Sequence, residues 1–142
     1  MDVIRYRGKE YDFLTSRFVG RGNYDEKYII VVRDWRQFIE GKENYFWKVP
    51  IPKDLNEAFK KGFINDTEMQ EYYWKHVRAN YDLKELYEKC KGKILTSAWM
   101  LARSNNAERL MLARLLEKEF KARWIDIELL DIKGDLKWVQ GM

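Results

Sequence analysis

One cysteine, one histidine and two prolines among 142 residues each close off a class of structure. Cys90 alone forms no internal disulfide and builds no cysteine zinc site, a usage that fits a reducing compartment. His76 alone cannot supply the imidazoles that zinc, iron and copper centres draw on, so any metal dependence has to rest on carboxylates, and no cofactor is expected. Pro50 and Pro52 fall together in one loop, and no Pro/Gly/Ser linker or repeat interrupts the chain, so a single α/β domain over residues 1–142 is expected. Apolar runs are short. None approaches the roughly 18 residues of a membrane span, and Met1-Asp2-Val3-Ile4-Arg5-Tyr6-Arg7 lacks the h-region of a signal peptide, which together point to a cytoplasmic protein with no membrane partner.

Charge of one sign is not concentrated anywhere. The net charge of +4 invites a nucleic-acid reading, yet residues 1–36 carry eight basic and six acidic side chains and residues 124–142 two and four, so no basic stripe forms. What the chain does have is apolar and aromatic content, 46% and 15%, enough to build a core without disulfides or metals, and 35% charged residues to solvate it. Abundant Lys and Glu with three Gln lean towards a thermophilic composition.

Lys27-Tyr28-Ile29-Ile30-Val31-Val32-Arg33 is continuously apolar and β-branched between charged ends, the pattern of a strand covered on both faces. Helical patterns follow: from Lys53 or Asp54 to a stop at Gly62, from a capping box of Asp66-Thr67 with Gln70 to about Asn80, and from Asp82 to Lys91 before Gly92. Lys93 to Trp99 reads as a second strand. Ser104-Asn105-Asn106 offers N-caps for a helix from about Ala107 to Ala122. Trp124 to Ile132 and Leu136 to Gln140, around Lys133-Gly134-Asp135, read as a hairpin. The order predicts an α/β fold, a mostly parallel sheet flanked by helices, with an antiparallel C-terminal edge hairpin.

In such sheets ligands gather beyond the carboxyl ends of the strands, where helix N-termini present unpaired N–H groups. Those ends here carry Arg33, Arg36, Thr96, Ser97, Arg103, Ser104 and Asn105, donors suited to an anion, although polar strand ends and Ser or Asn caps are also what ordinary structure uses. Arg109 stands out. Steps of three and four from Leu112 and Leu116 place it on the same stripe as Ala113 and Phe120, in a first turn where the helix dipole disfavours a cation. A carboxylate, such as Asp34, or a bound anion has to offset it. Cys90 shares an apolar face with Leu83, Leu86 and Tyr87, and His76 one with Met69, Tyr72 and Tyr73; both read as structural. Gly20-Arg21-Gly22-Asn23 precedes a strand and lacks Gly-Lys-Ser/Thr, so it reads as a turn.

Taken together, Pro52-Lys53-Asp54-Leu55, Lys61-Gly62-Phe63-Ile64, Tyr72-Tyr73 with Val77, Leu83 to Tyr87, Lys93-Ile94-Leu95 and Arg109 with Ala113 form a wider pattern. So do Thr15-Ser16-Arg17-Phe18 and Val31-Val32-Arg33. Over about residues 3–120 the chain resembles the small α/β "domain of unknown function four-eight-eight" family of bacteria and archaea. The resemblance implies an α/β fold with a site at the start of its last helix. That family often has Cys-His-Arg there; the matching residues here are Ala107-Glu108-Arg109, so only the arginine is kept and no Cys or His chemistry carries over. The expected function is binding of an anionic, phosphate- or nucleotide-like ligand at the strand ends. Two alternatives stay open: a nucleic-acid-binding module, and a protein-interaction subunit without catalysis. A homodimer through the C-terminal hairpin, where Trp138 marks a sheet edge, is weighed against a monomer.

Overall fold

The computed structural model describes residues 2–17, 29–32, 46–47, 51–97, 107–127 and 136–140. The chain opens with a hairpin of β1 (Asp2–Tyr6) and β2 (Lys9–Tyr11). Its two-residue turn is Arg7-Gly8, with φ of 49° and 81°, the positive pair that a type I′ turn requires and that matches the twist of the flanking strands. Alternation sets the face: Ile4 and Tyr6 are buried while Arg5 and Arg7 are exposed.

The remaining elements are β3 (Leu14–Arg17), β4 (Ile29–Val32), β5 (Phe46–Trp47), α1 (Lys53–Lys60), α2 (Asp66–Asn80), α3 (Leu83–Cys90), β6 (Ile94–Ser97), α4 (Glu108–Phe120), β7 (Asp126–Ile127) and β8 (Leu136–Gln140). Five strands form a wholly parallel sheet in the order β5-β4-β6-β3-β7. A separate antiparallel sheet has the order β2-β1-β8. The expected C-terminal hairpin is therefore corrected: β7 pairs with β3 and β8 with β1, in different sheets. Adjacency in sequence misassigned their partners, because β1 offered β8 a five-residue register from Asp2↔Gln140 to Tyr6↔Leu136.

Local chemistry explains the helix ends. Asp82 caps α3 by accepting from the N–H groups of Lys84 and Glu85, and Gly92, at φ 75°, turns the chain out of it. The capping box of α2 is Asn65 with Glu68, not Asp66-Thr67 with Gln70: Asn65 accepts from the Glu68 N–H at 2.8 Å and the Glu68 carboxylate accepts from the Asn65 N–H at 3.1 Å. A second correction falls on α4, whose N-cap is Ala107 without a side-chain bond, so Ser104, Asn105 and Asn106 do not occupy the cap position.

The connection β5 to β6, which holds α1–α3, and the connection β6 to β7, which holds α4, move in the same direction along the sheet. Right-handed crossovers put both on one face. Accordingly α4 packs on β3, β6, α2 and α3. Phe13 and Leu95 from the sheet side meet Met69, Tyr73, Val77, Leu86, Cys90, Met111, Leu112, Leu115 and Leu116 in one cluster. Each such buried aliphatic contributes about 1.5–3 kcal/mol relative to exposure. Tyr72, grouped with that face by its spacing, is instead 52% exposed.

Candidate functional site

Neighbouring strands β3 and β6 run side by side, with Ser16 opposite Thr96 and Arg17 opposite Ser97. Their onward connections diverge. The chain leaving β3 goes to β4, on the far side of β6, and the chain leaving β6 goes to β7, on the far side of β3. Where connections part in this way a crevice opens at the carboxyl ends of the strands.

Side chains opposite one another in register share a face, so Thr15, Leu95 and Asp126 project to the α4 side, and Ser16, Thr96 and Ile127 to the other. On the α4 side an ion pair forms with its cation buried and its carboxylate partly exposed. Arg109 donates from Nε to Asp126 Oδ1 at 3.0 Å and from Nη2 to Oδ2 at 3.2 Å, and Thr15 Oγ1 donates to the same Oδ1 at 2.7 Å. The Arg109 side chain is 5% exposed and that of Asp126 39%. One partner of the cation on the core stripe is thus a carboxylate from β7, which offsets both its burial and its place at the positive end of the α4 dipole.

Glu108 begins α4 beside it. Its carboxylate accepts from its own N–H and from the N–H of Ile51, at the entrance to α1, yet burial outweighs these bonds and the adjacent Arg109 charge and raises its pKa. Its Oε2 is enclosed and has no hydrogen-bond partner. Across the interior, burial and then the Glu108 charge push the Tyr73 phenol well up.

Of the sequence-expected ligand residues, Thr96 is fully buried in β6, Ser97 ends that strand, and Arg109 is held by Asp126. Arg33, Arg36, Arg103, Ser104 and Asn105, together with Asp34 and the Gly20–Asn23 turn, lie outside the described residues. Sequence reasoning passed over Glu108 and Asp126. Glu108 stood only as a departure from the family's Cys-His-Arg, and Asp126 only as a residue within the Trp124 to Ile132 strand. Among the described residues no group of three or more His, Cys, Asp or Glu is placed to hold a metal ion. No helix among them is long and apolar enough to cross a membrane. A cavity of about 80 Å³ lined by Tyr81, Asp82, Glu85 and Leu86 is too small for a nucleotide, which needs about 300 Å³ or more.

No family model matches the chain, and neither a curated protein nor a solved structure does.

Proposed function

We propose that the protein binds an anionic ligand, phosphate- or nucleotide-like, in the crevice at the carboxyl ends of β3 and β6. The observation that carries this reading is the divergence of the two connections beside paired polar ends, Ser16 opposite Thr96, with the N-terminus of α4 adjoining. In sequence, Arg33 and Arg36 follow β4, and Arg103, Ser104 and Asn105 stand between β6 and α4. The resemblance to the family named above favours the same location. Arg109 serves in this reading as a positioning residue: its fork holds Asp126 and so ties β7 to α4 beside β3.

A thermal-shift screen of inorganic phosphate, nucleotides and sugar phosphates tests the reading, since a ligand present at 100 times its Kd stabilises the native state by about 2.7 kcal/mol. At least one phosphate compound is expected to raise Tm, and Arg33→Ala and Ser97→Ala to remove that rise without lowering the ligand-free Tm. No shift with any of them ends the proposal. An oligonucleotide that binds tightly, with affinity falling steeply as salt rises, replaces the small ligand with a nucleic acid.

A further inference from the structure

Charge that is even along the sequence is not even across the surface. Helices α2 and α4 pack side by side, and their side chains meet along an outer seam one helical turn at a time. On the first rung Arg114 Nη1 donates to Gln70 Oε1 at 2.9 Å. One turn on, the Trp74 indole Nε1 donates to the Met111 carbonyl at 2.8 Å, and the Lys118 ammonium stands 5.3 Å from the centre of that ring. A turn further, the Arg78 guanidinium lies over the same ring at 5.9 Å and pairs with Glu119. Three cations therefore share the seam with one carboxylate, although α2 and α4 are far apart in the sequence. The charges flanking the seam, Glu71 with Lys75 on α2 and Glu117 with Lys121 at the end of α4, balance one another. Lys118 has no carboxylate partner among the described residues.

The bond to Met111 fixes the indole, and cations already ordered over a ring lose less freedom when an anion arrives. They are open to one: the Arg78 side chain is 40% exposed, and Lys118 is exposed as well. A nucleic-acid strand brings a row of phosphates to such cations, and its bases stack on aromatic rings and on guanidinium planes. An acidic peptide meets the charges but makes no use of the stacked pair. We propose that the outer seam of α2 and α4 binds single-stranded nucleic acid, with phosphates on Arg114 and Lys118 and a base against Arg78 where it lies over Trp74. This surface is separate from the strand-end crevice and does not rest on the anion reading.

Fluorescence anisotropy of a labelled oligouridylate of about 12 nucleotides, read at low and rising salt, tests it. The wild type is expected to bind with Kd on the order of 10–100 μM and a log–log salt slope of roughly −1.4 to −2.1, for two to three phosphate contacts. Replacing Arg114 and Lys118 together by Ala should weaken binding about tenfold or more, whereas replacing Lys84 and Lys89 of α3 by Ala, the same loss of charge, should change it by about twofold at most. Arg78→Lys keeps the charge without the guanidinium plane and should weaken binding about threefold or more. Each variant is checked for its Tm, and Lys118→Glu, on an exposed side chain, repeats the loss if the double variant melts early. No binding at low salt, or equal losses from the α3 control, overturns the proposal. Binding that Arg33→Ala removes and the double variant keeps also overturns it and places the strand in the crevice. An oligoglutamate of similar length that binds as tightly overturns the nucleic-acid assignment, and wild-type binding by Arg78→Lys overturns the stacking.

Discussion

Two ion pairs along β3, one just before the strand and one beside it, are inverted copies of each other. At the amino end Asp12 accepts from Arg123, Oδ1 from Nη2 at 3.2 Å and Oδ2 from the backbone N–H at 2.8 Å; the carboxylate is 12% exposed and the guanidinium 58%. Beside Thr15 the burial is exchanged: Arg109 is 5% exposed and Asp126 39%. Both pairs tie β3 to the chain that follows α4, across the same 111-residue separation for Asp12 to Arg123 and Thr15 to Asp126. The difference lies in which partner water can rescue. Loss of Arg123 leaves Asp12 its backbone donor, whereas loss of Asp126 takes two hydrogen bonds from a buried guanidinium at the positive end of a helix.

Asp126→Ala should therefore be the more damaging change of the two, costing about 1.5–3 kcal/mol, because Arg109 loses two charged hydrogen bonds and Thr15 Oγ1 loses its acceptor. Arg123→Ala should cost about 1 kcal/mol or less, since its guanidinium is largely in water. Urea unfolding of the two variants measures the contrast, and equal losses would remove the distinction between the ends. An Arg109→Met, Asp126→Leu double replacement should recover most of the loss from Asp126→Ala, because the buried charge goes with its partner.

A second measurement separates both pairs from the core between them. Tyr73 and Cys90 are fully buried, and burial holds the phenol and the thiol above their ordinary values of 10.0 and 9.0. In the unfolded chain each loses its proton near its ordinary value, while in the folded chain it keeps it. Their contribution is complete below about pH 9 and falls as pH climbs past it, by about 1.4 kcal/mol per pH unit for each group once its unfolded form ionises. Arginine keeps its charge throughout this range, so Asp126→Ala should lose stability with rising pH in parallel with wild type. Cys90 should resist a thiol reagent at pH 8 until the chain unfolds, and fast labelling of the native protein would show that the core opens locally.

The core and the ion pairs were not equally legible in the sequence. Helix α3 was readable almost to the residue, because Asp82 and Gly92 are strong local signals at its two ends. The position of Arg109 on an apolar stripe announced that a counter-charge was needed, and burial of both neighbours along the stripe, Leu112 and Ala113, bears out the geometry. Which carboxylate meets it was not legible. Asp126 lies 17 residues on, in a two-residue strand whose place beside β3 depends on strand order, and nothing local specifies strand order. The same blindness turned β7 and β8 into a hairpin. Glu108 was hidden for a different reason: an acid in the first turn of a helix is what the dipole favours anyway, and only enclosure of Oε2 distinguishes it from the many that are solvated.

Glu108 also gives the comparison its smallest and most telling test. Asp12 and Asp126 both accept from arginine, whereas the Glu108 carboxylate is buried with only backbone donors, and the cost of that burial has a sign. Burial raises the folded pKa of Glu108 above its ordinary value of 4.5, so the native state binds its proton more tightly than the unfolded chain does. Stability from this group is complete at pH below 4.5 and is lost as pH rises through the folded value, which leaves the ionised form unfavourable at neutral pH. Glu108→Gln removes that dependence and keeps an acceptor for the Ile51 N–H. At pH 7 and without ligand it should melt at or slightly above the wild type, by roughly 1 kcal/mol at most, about 3 °C for a chain of this size. The gap should close as the pH is lowered towards 4.5. A variant that melts well below wild type by the same margin at every pH would mean that the bonds Glu108 accepts from the backbone outweigh the cost of burying its carboxylate.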